Sequence, residues 1–318
     1  MANDPKTRNK NFSALPEVWV TVGYDLSDFE QALRSEGKSD GTIRNYLASL
    51  EQFARWFERT TGETFRPEVI TALDVVGYKS HLIEKEYQPA TINTKLASLS
   101  TFCSWAKEQG FLEENPAAEI KGIRQEQPTA PQSLDRKAWL KLLRTVHQSR
   151  NKRDIALVEL IGNTGLRAAE VAALKRSDVK ISPRKGSVTV RLGKGMKQRT
   201  IPLNADVRKA LSDYLEGRSD RENAPLFLGQ RGNGLTRYGI WRIVDKYGKQ
   251  ADLDISPHTL RHTFGRRLVT EEDVDLVTVQ TMMGHESPAT TARYTWPSEE
   301  EQAEALEKLA VRRAGGDL

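Results

Sequence analysis

A chain of 318 residues is long for one hydrophobic core and comfortable for two domains. Its 48 Lys and Arg exceed its 43 Asp and Glu, giving +5 at pH 7 and an isoelectric point near 9.1, which mildly favours a polyanionic partner. No apolar run reaches membrane-spanning length, no secretory core opens the chain, and a single Cys103 precludes an intrachain disulfide, so the expected setting is a reducing cytosol without a membrane partner.

The charge is unevenly spread. Residues 1–130 hold 15 Lys and Arg against 19 Asp and Glu; residues 131–318 hold 33 against 24, so the basic footprint is C-terminal. Residues 1–20 read as an N-terminal arm, with Lys6, Arg8 and Lys10 in its polar first half. Helical patterns then follow at Leu26–Arg34, Thr42–Trp56, Val75–Leu82 and Thr91–Trp105, predicting a bundle of four or five helices over residues 21–114. Two of these share a template. Thr42–Trp56 (TIRNYLASLEQFARW) and Thr91–Trp105 (TINTKLASLSTFCSW) match at eight of fifteen positions, with Ile, Leu, Leu and Phe returning at helical steps. Either two core helices reuse one design, or both also turn a polar face outward, Arg44 and Asn45 in one and Asn93 and Lys95 in the other. Pro89 suits the mouth of the second helix, where its missing N–H is harmless.

Residues 115–133 carry Pro116, Gly122, Pro128 and Pro131 without sustained period, and read as a linker. Ser133 is the expected cap of a helix from Asp135 that buries Trp139, Leu142 and Leu143. Ile155–Ile161 is an apolar helix closing at Asn163-Thr164-Gly165, a turn that delivers Arg167. Ser187–Leu192 alternates as a strand, and Gln198–Leu203 pairs with it in a hairpin whose tip carries Lys194. Helical patterns at Ala205–Leu215, Arg237–Ala251, Pro257–Leu268 and Val274–Met283 complete a second domain over residues 134–297 that is mainly α with a small antiparallel sheet. In the tail, residues 298–318, Ser298–Arg313 reads SEEEQAEALEKLAVRR. Ser298 suits an N-cap, acids follow it and arginines close it, but Ala303, Leu306, Leu309 and Ala310 form too narrow a face to hold a helix in isolation.

The second domain carries an ordered set of reactive side chains in the strings TGLRAAEV, GKGMKQRTIPL, HTLRHTF, MMGHES and TARYTW. Metal-free cleavage of a phosphodiester needs charge neutralisation at two non-bridging oxygens, a nucleophile, and a proton for the leaving alkoxide. Arg167 and Arg261 suit the first task, because a guanidinium stays charged and grips phosphate in two-point fashion. Tyr294 is the candidate nucleophile. A phenol titrating near pH 10 needs cations or a base beside it, and His258 fits the base. His285 suits donation to a non-bridging oxygen. Lys194 suits protonation of the leaving oxygen, with Lys197 a rival that chemistry does not separate from it. Glu170 is expected to orient Arg167 or cap locally. His258 and His262 stand four apart, a spacing that can ligate zinc, but no third ligand accompanies them and His262 is expected to pack or bond to backbone. His81 and His147 have no constellation in the sequence.

This ensemble resembles the tyrosine recombinase (phage integrase) family, in particular its short Xer-like members, over most of the chain from about Leu26. His285 and Tyr294 stand nine positions apart, at the family's spacing. The resemblance implies a SAM-like helical core-binding domain before the catalytic domain, both clamping double-stranded DNA, with the polar faces around Arg44 and Asn45 and around Asn93 and Lys95 approaching it. It favours Lys194 over Lys197. It implies a 3′-phosphotyrosine intermediate, strand exchange through a Holliday junction by a synaptic tetramer, no metal, cofactor or ATP, and a tail docking on a neighbouring subunit. A second recombinase or accessory protein stays open as a partner. Type IB topoisomerase activity and a catalytically silent DNA-binding role remain the alternatives.

Overall fold

The computed structural model describes residues 24–124, 132–191, 198–218, 223–284 and 291–296, with Ala303, Leu306 and Glu307. The expected arm, hairpin tip and most of the tail fall outside these residues. The chain divides into two compact units, residues 1–128 and 129–318.

The first unit is helical among its described residues: α1 (Ser27–Ser35), α2 (Asp40–Thr61), α3 (Ala72–Glu84) and α4 (Pro89–Glu108), with a 3-10 turn at Pro67–Val69. Local chemistry sets the ends. The Ser39 hydroxyl accepts the Thr42 N–H at the start of α2, and Gly62 closes it at φ 76°. Thr71 and Asp74 form a reciprocal capping box on α3, and Pro89 opens α4 at its first position. The repeated template is a packing device. Ile43, Leu47, Leu50, Phe53 and Trp56 of α2 are buried, and so are the matching Ile92, Leu96, Leu99, Phe102 and Trp105 of α4. Phe53 meets the Tyr78 ring edge-on at 5.1 Å, and Phe29 meets Phe102 at 5.2 Å. Each such buried side chain contributes about 1.5–3 kcal/mol from apolar area removed from water.

The second unit packs helices around α6 (Lys152–Thr164), whose Ala156, Leu157, Val158, Leu160 and Ile161 are all inaccessible to solvent. A helix apolar on most of its surface can be stable only when enclosed. Around it lie α5 (Arg136–Gln148), α8 (Ala205–Leu215), α9 (Arg237–Gln250) and α10 (Pro257–Thr270), with short helices α7 (Ala168–Ala173) and α11 (Leu276–Met283). Asp135, rather than Ser133, caps α5: its carboxylate accepts the Ala138 N–H at 2.6 Å. The short Asp side chain reaches this donor from the position next to the helix, whereas Ser133 stands two residues farther out. A three-stranded antiparallel sheet runs β1 (Val179–Ile181), β2 (Gly186–Arg191) and β3 (Gln198–Pro202) in that order, β2 and β3 pairing as expected from their alternation. The three-residue β1 was too short to leave a periodic signal in the sequence. His147 gains a partner that spacing did not disclose, Glu159, at 2.9 Å. Burial pushes the Glu159 carboxyl above its ordinary range, against the pull of the His147 bond.

Gly162 shows how tightly α5 meets α6. A β-carbon there would lie 2.1 Å from the ring of Trp139, itself 3 % exposed and walled in by the core. Gly→Ala inside a helix ordinarily gains about 1 kcal/mol. Here Gly162→Ala is expected to lower stability by about 1–3 kcal/mol, because overpacking outweighs propensity. Thermal unfolding checks this, and an unchanged or raised Tm would mean that Trp139 yields freely.

Candidate active site

The site is assembled where the ends of α6, α7, α10 and α11 meet β3. Gly165 terminates α6 in the left-handed region at φ 63°, turning the chain so that Leu166 is buried and Arg167 becomes the N-cap of α7. A β-carbon on Gly165 would stand 2.4 Å from Phe264, so both the backbone angle and the close approach of α10 require glycine.

Glu170 receives the Arg167 backbone N–H at 2.8 Å and its Nη1 at 3.2 Å. It therefore caps α7 and pairs with the Arg167 side chain at once. Its other partner is Arg199 of β3, which donates Nη1 to Oε1 and Nη2 to Oε2, both at 2.9 Å. Burial opposes ionisation of Glu170, but the Arg199 fork, the Arg167 N–H and the two guanidinium charges together hold its carboxyl below the ordinary range. Arg261 projects from α10 and is 2 % exposed. Its Nη1 donates to the Gly165 carbonyl and its Nη2 to the Met283 carbonyl at 2.9 Å. Burial, with the neighbouring Arg167 charge, pulls its pKa down to about 10, which leaves it cationic at neutral pH. Arg167 Nη2 reaches the Gly284 carbonyl at 3.3 Å, so both candidate phosphate-binding arginines are moored to the end of α11.

Tyr294 lies in a 3-10 turn, Arg293–Thr295, and is 2 % exposed. Its ring packs with Phe264, Val279 and Met283 over Gly265, where a β-carbon would stand 2.7 Å from the ring. Its hydroxyl shares a 3.0 Å hydrogen bond with His262 Nδ1. His262, expected to pack or bond to backbone, thus touches the candidate nucleophile. The His258 ring stands edge-on to that of His262, centroids 4.1 Å apart. Lys194, Lys197 and His285 lie outside the described residues.

In the first unit, Arg44 and Asn45 face solvent on α2. Their counterparts are engaged within the unit. The Asn93 amide donates to the Ile123 carbonyl at 2.9 Å and accepts its N–H at 2.7 Å, while Lys95 Nζ donates to the Gln52 side chain and lies 5.6 Å from the Tyr87 ring centroid. The buried faces of the two helices follow one template; their polar faces do not.

Sequence reasoning passed over Arg199 and undervalued His262. For Arg199 a signal existed: it shares a strand face with buried Ile201, and an arginine on an inward face needs an anionic partner. For His262, the i, i+4 spacing from His258 placed both on one helix side, but nothing local named Tyr294 as its partner.

Residues 132–301 match the phage integrase family, and residues 26–111 match the phage integrase N-terminal SAM-like domain. Tyrosine recombinase XerA of Pyrococcus furiosus is 33 % identical over 297 residues, covering 92 % of this chain and 96 % of the relative. Tyrosine recombinase XerD of Listeria monocytogenes is 32 % identical over 281 residues, covering 85 % and 93 %. A crystal structure of XerA recombinase superposes with TM-score 0.51 at 28 % identity over 89 % of this chain and 96 % of that one. The XerH recombinase in a post-cleavage complex with a palindromic difH substrate reaches TM-score 0.71 at 23 % identity over 88 % and 83 %, a likeness of fold.

Proposed function

The chain belongs to the phage integrase family and is a tyrosine-type site-specific recombinase, and from that premise we propose that Arg167, Lys194, His258, Arg261, His285 and Tyr294 form its reaction centre. Such an enzyme cuts and rejoins DNA through a covalent phosphotyrosine. In the proposed step, Tyr294 Oη bonds to phosphorus as the bond from phosphorus to the 5′ oxygen breaks. The phenolic proton passes to His258 by way of His262, whose Nδ1 bonds the phenol and whose ring lies against that of His258. The departing 5′ alkoxide takes a proton from Lys194. Arg167 and Arg261 neutralise the non-bridging oxygens, and His285 donates to one of them. Attack of a free 5′-hydroxyl from a partner duplex on the 3′-phosphotyrosine reverses every bond change. The phosphodiester energy is conserved throughout, so no ATP enters.

The observation that carries this assignment is the mooring of Arg167 and Arg261 to successive carbonyls at the end of α11, whose Met283 packs against Tyr294. Two fixed guanidiniums beside one phenol suit a phosphate held for in-line attack. Two rounds of exchange through a Holliday junction use four such centres, hence a tetramer on double-stranded DNA. Arg44 and Asn45 supply first-unit DNA contacts, while Asn93 and Lys95 are held within the unit by Ile123 and Gln52. The 298–318 tail docks on a neighbouring subunit, and a second recombinase or accessory protein assists where the site is asymmetric. Among the described residues no helix is long and apolar enough to cross a membrane. The single buried Cys103 and the basic second unit support a cytoplasmic place on the nucleoid.

The test is to trap covalent protein on nicked suicide duplexes drawn from host and mobile-element DNA, in excess chelator. The expected product is a 3′-linked adduct whose labelled peptide contains Tyr294. An adduct that vanishes in chelator and returns with zinc would replace the all-organic centre with a metal site on His258 and His262.

A further inference from the structure

We propose that Arg199 is a positioning residue for Arg167, acting through Glu170 and through the carboxyl end of α11; the role rests on the reaction centre proposed above. Three guanidiniums donate to three consecutive carbonyls. Arg199 Nε reaches Met282 at 3.0 Å, Arg261 Nη2 reaches Met283 at 2.9 Å, and Arg167 Nη2 reaches Gly284 at 3.3 Å. These are the last carbonyls of a helix and its cap, which lack intrahelical partners and lie at the negative end of its dipole. The next residue in the chain is His285. Gly284 holds φ 64°, and a β-carbon there would stand 2.7 Å from Arg199 Nη1, so the close seat of this guanidinium requires glycine.

Arg199 and Arg167 divide the work around one carboxylate. The Arg199 side chain is 11 % exposed, against 44 % for Arg167. Arg199 is thus enclosed with its fork on both Glu170 oxygens, while the Arg167 guanidinium gives Glu170 a single bond, from Nη1 at 3.2 Å, and is the more exposed of the two. A buried carboxylate demands full pairing. With Arg199 in place that demand is met from the far side, and Arg167 remains available to phosphate. Without it, Glu170 draws the Arg167 guanidinium inward into a two-point pair, and the α11 end loses one of its three ties. A lysine offers charge but no fork, so it does not replace Arg199.

The experiment measures single-turnover adduct formation by Arg199→Lys and Arg199→Gln on two suicide duplexes, one with an ordinary scissile phosphate and one with a methylphosphonate. The methylphosphonate lacks one charged non-bridging oxygen and needs one guanidinium fewer. On the ordinary duplex both variants are expected to lose about 100-fold in rate, the scale of a displaced catalytic group. Half-site affinity is expected to hold within about threefold, since most phosphate contacts are untouched. On the methylphosphonate the loss shrinks to about fivefold or less, because the misplaced group is the one no longer required. In an Arg167→Ala background, adding Arg199→Gln is expected to change nothing further.

Equal losses on both duplexes, wild-type rates in either variant, or loss of cooperative unfolding in both variants would make Arg199 a general packing residue and overturn the role. An unsubstituted chain that forms no adduct on the ordinary duplex instead overturns the reaction centre itself, and this role with it.

Discussion

Tyr294→Phe is expected to abolish the covalent adduct while leaving half-site affinity within about twofold, because affinity rests on phosphate neutralisation by other side chains. The substitution removes one oxygen. The ring keeps its slot over Gly265 between Phe264 and Met283, so the packing of the 3-10 turn survives. What is lost is the bond to His262 Nδ1, about 1 kcal/mol of stability for a neutral hydrogen bond, and with it every route to a phosphorus–oxygen bond from this residue. Adduct yield on a suicide duplex, read beside a binding isotherm, separates the two effects. An adduct in the Phe variant would move the nucleophile to another residue, and a large loss of binding would make Tyr294 a structural anchor.

The second large effect lies on the β2–β3 connection. Lys194→Ala is expected to lose about 10²–10⁴-fold in cleavage, the range for a general acid, and Lys197→Ala far less. A duplex carrying sulfur in place of the bridging 5′ oxygen decides between a proton donor and a phosphate contact. A thiol titrates near 8.5, so a thiolate departs without a proton. The Lys194→Ala enzyme is therefore expected to recover most of its rate on sulfur, while an Arg261→Ala enzyme, deprived of charge neutralisation, stays impaired on both substrates. Rescue of Lys197→Ala in place of Lys194→Ala exchanges the two lysines.

The helices of both units were legible because what defines them is local. Apolar returns at three and four residues, Pro89 at a first turn and Gly165 past a last one all act within about one turn of the chain. The β2–β3 pair was legible from alternation, and the short β1 was not, since three residues carry no period. Candidate site residues could be named where their type and order carried the family pattern, and for that reason Arg167, Arg261 and Tyr294 were proposed from strings alone.

The sequence by itself therefore determined that the main helices and the β2–β3 pair exist, which of their faces are apolar, and which side chains bear reactive groups. Only the tertiary structure decided which polar groups meet. Arg199 finds Glu170, His262 finds Tyr294, His147 finds Glu159 and Asn93 finds Ile123 across turns or whole elements. The repeated helices show the division most clearly: one template buries the same five positions twice, while neighbours elsewhere in the chain leave Arg44 open to solvent and tie up Lys95. Periodicity follows from the geometry of a single helix or strand. A hydrogen-bond partner follows from which elements pack together, and a buried charge accepts whichever partner that packing brings within about 3 Å.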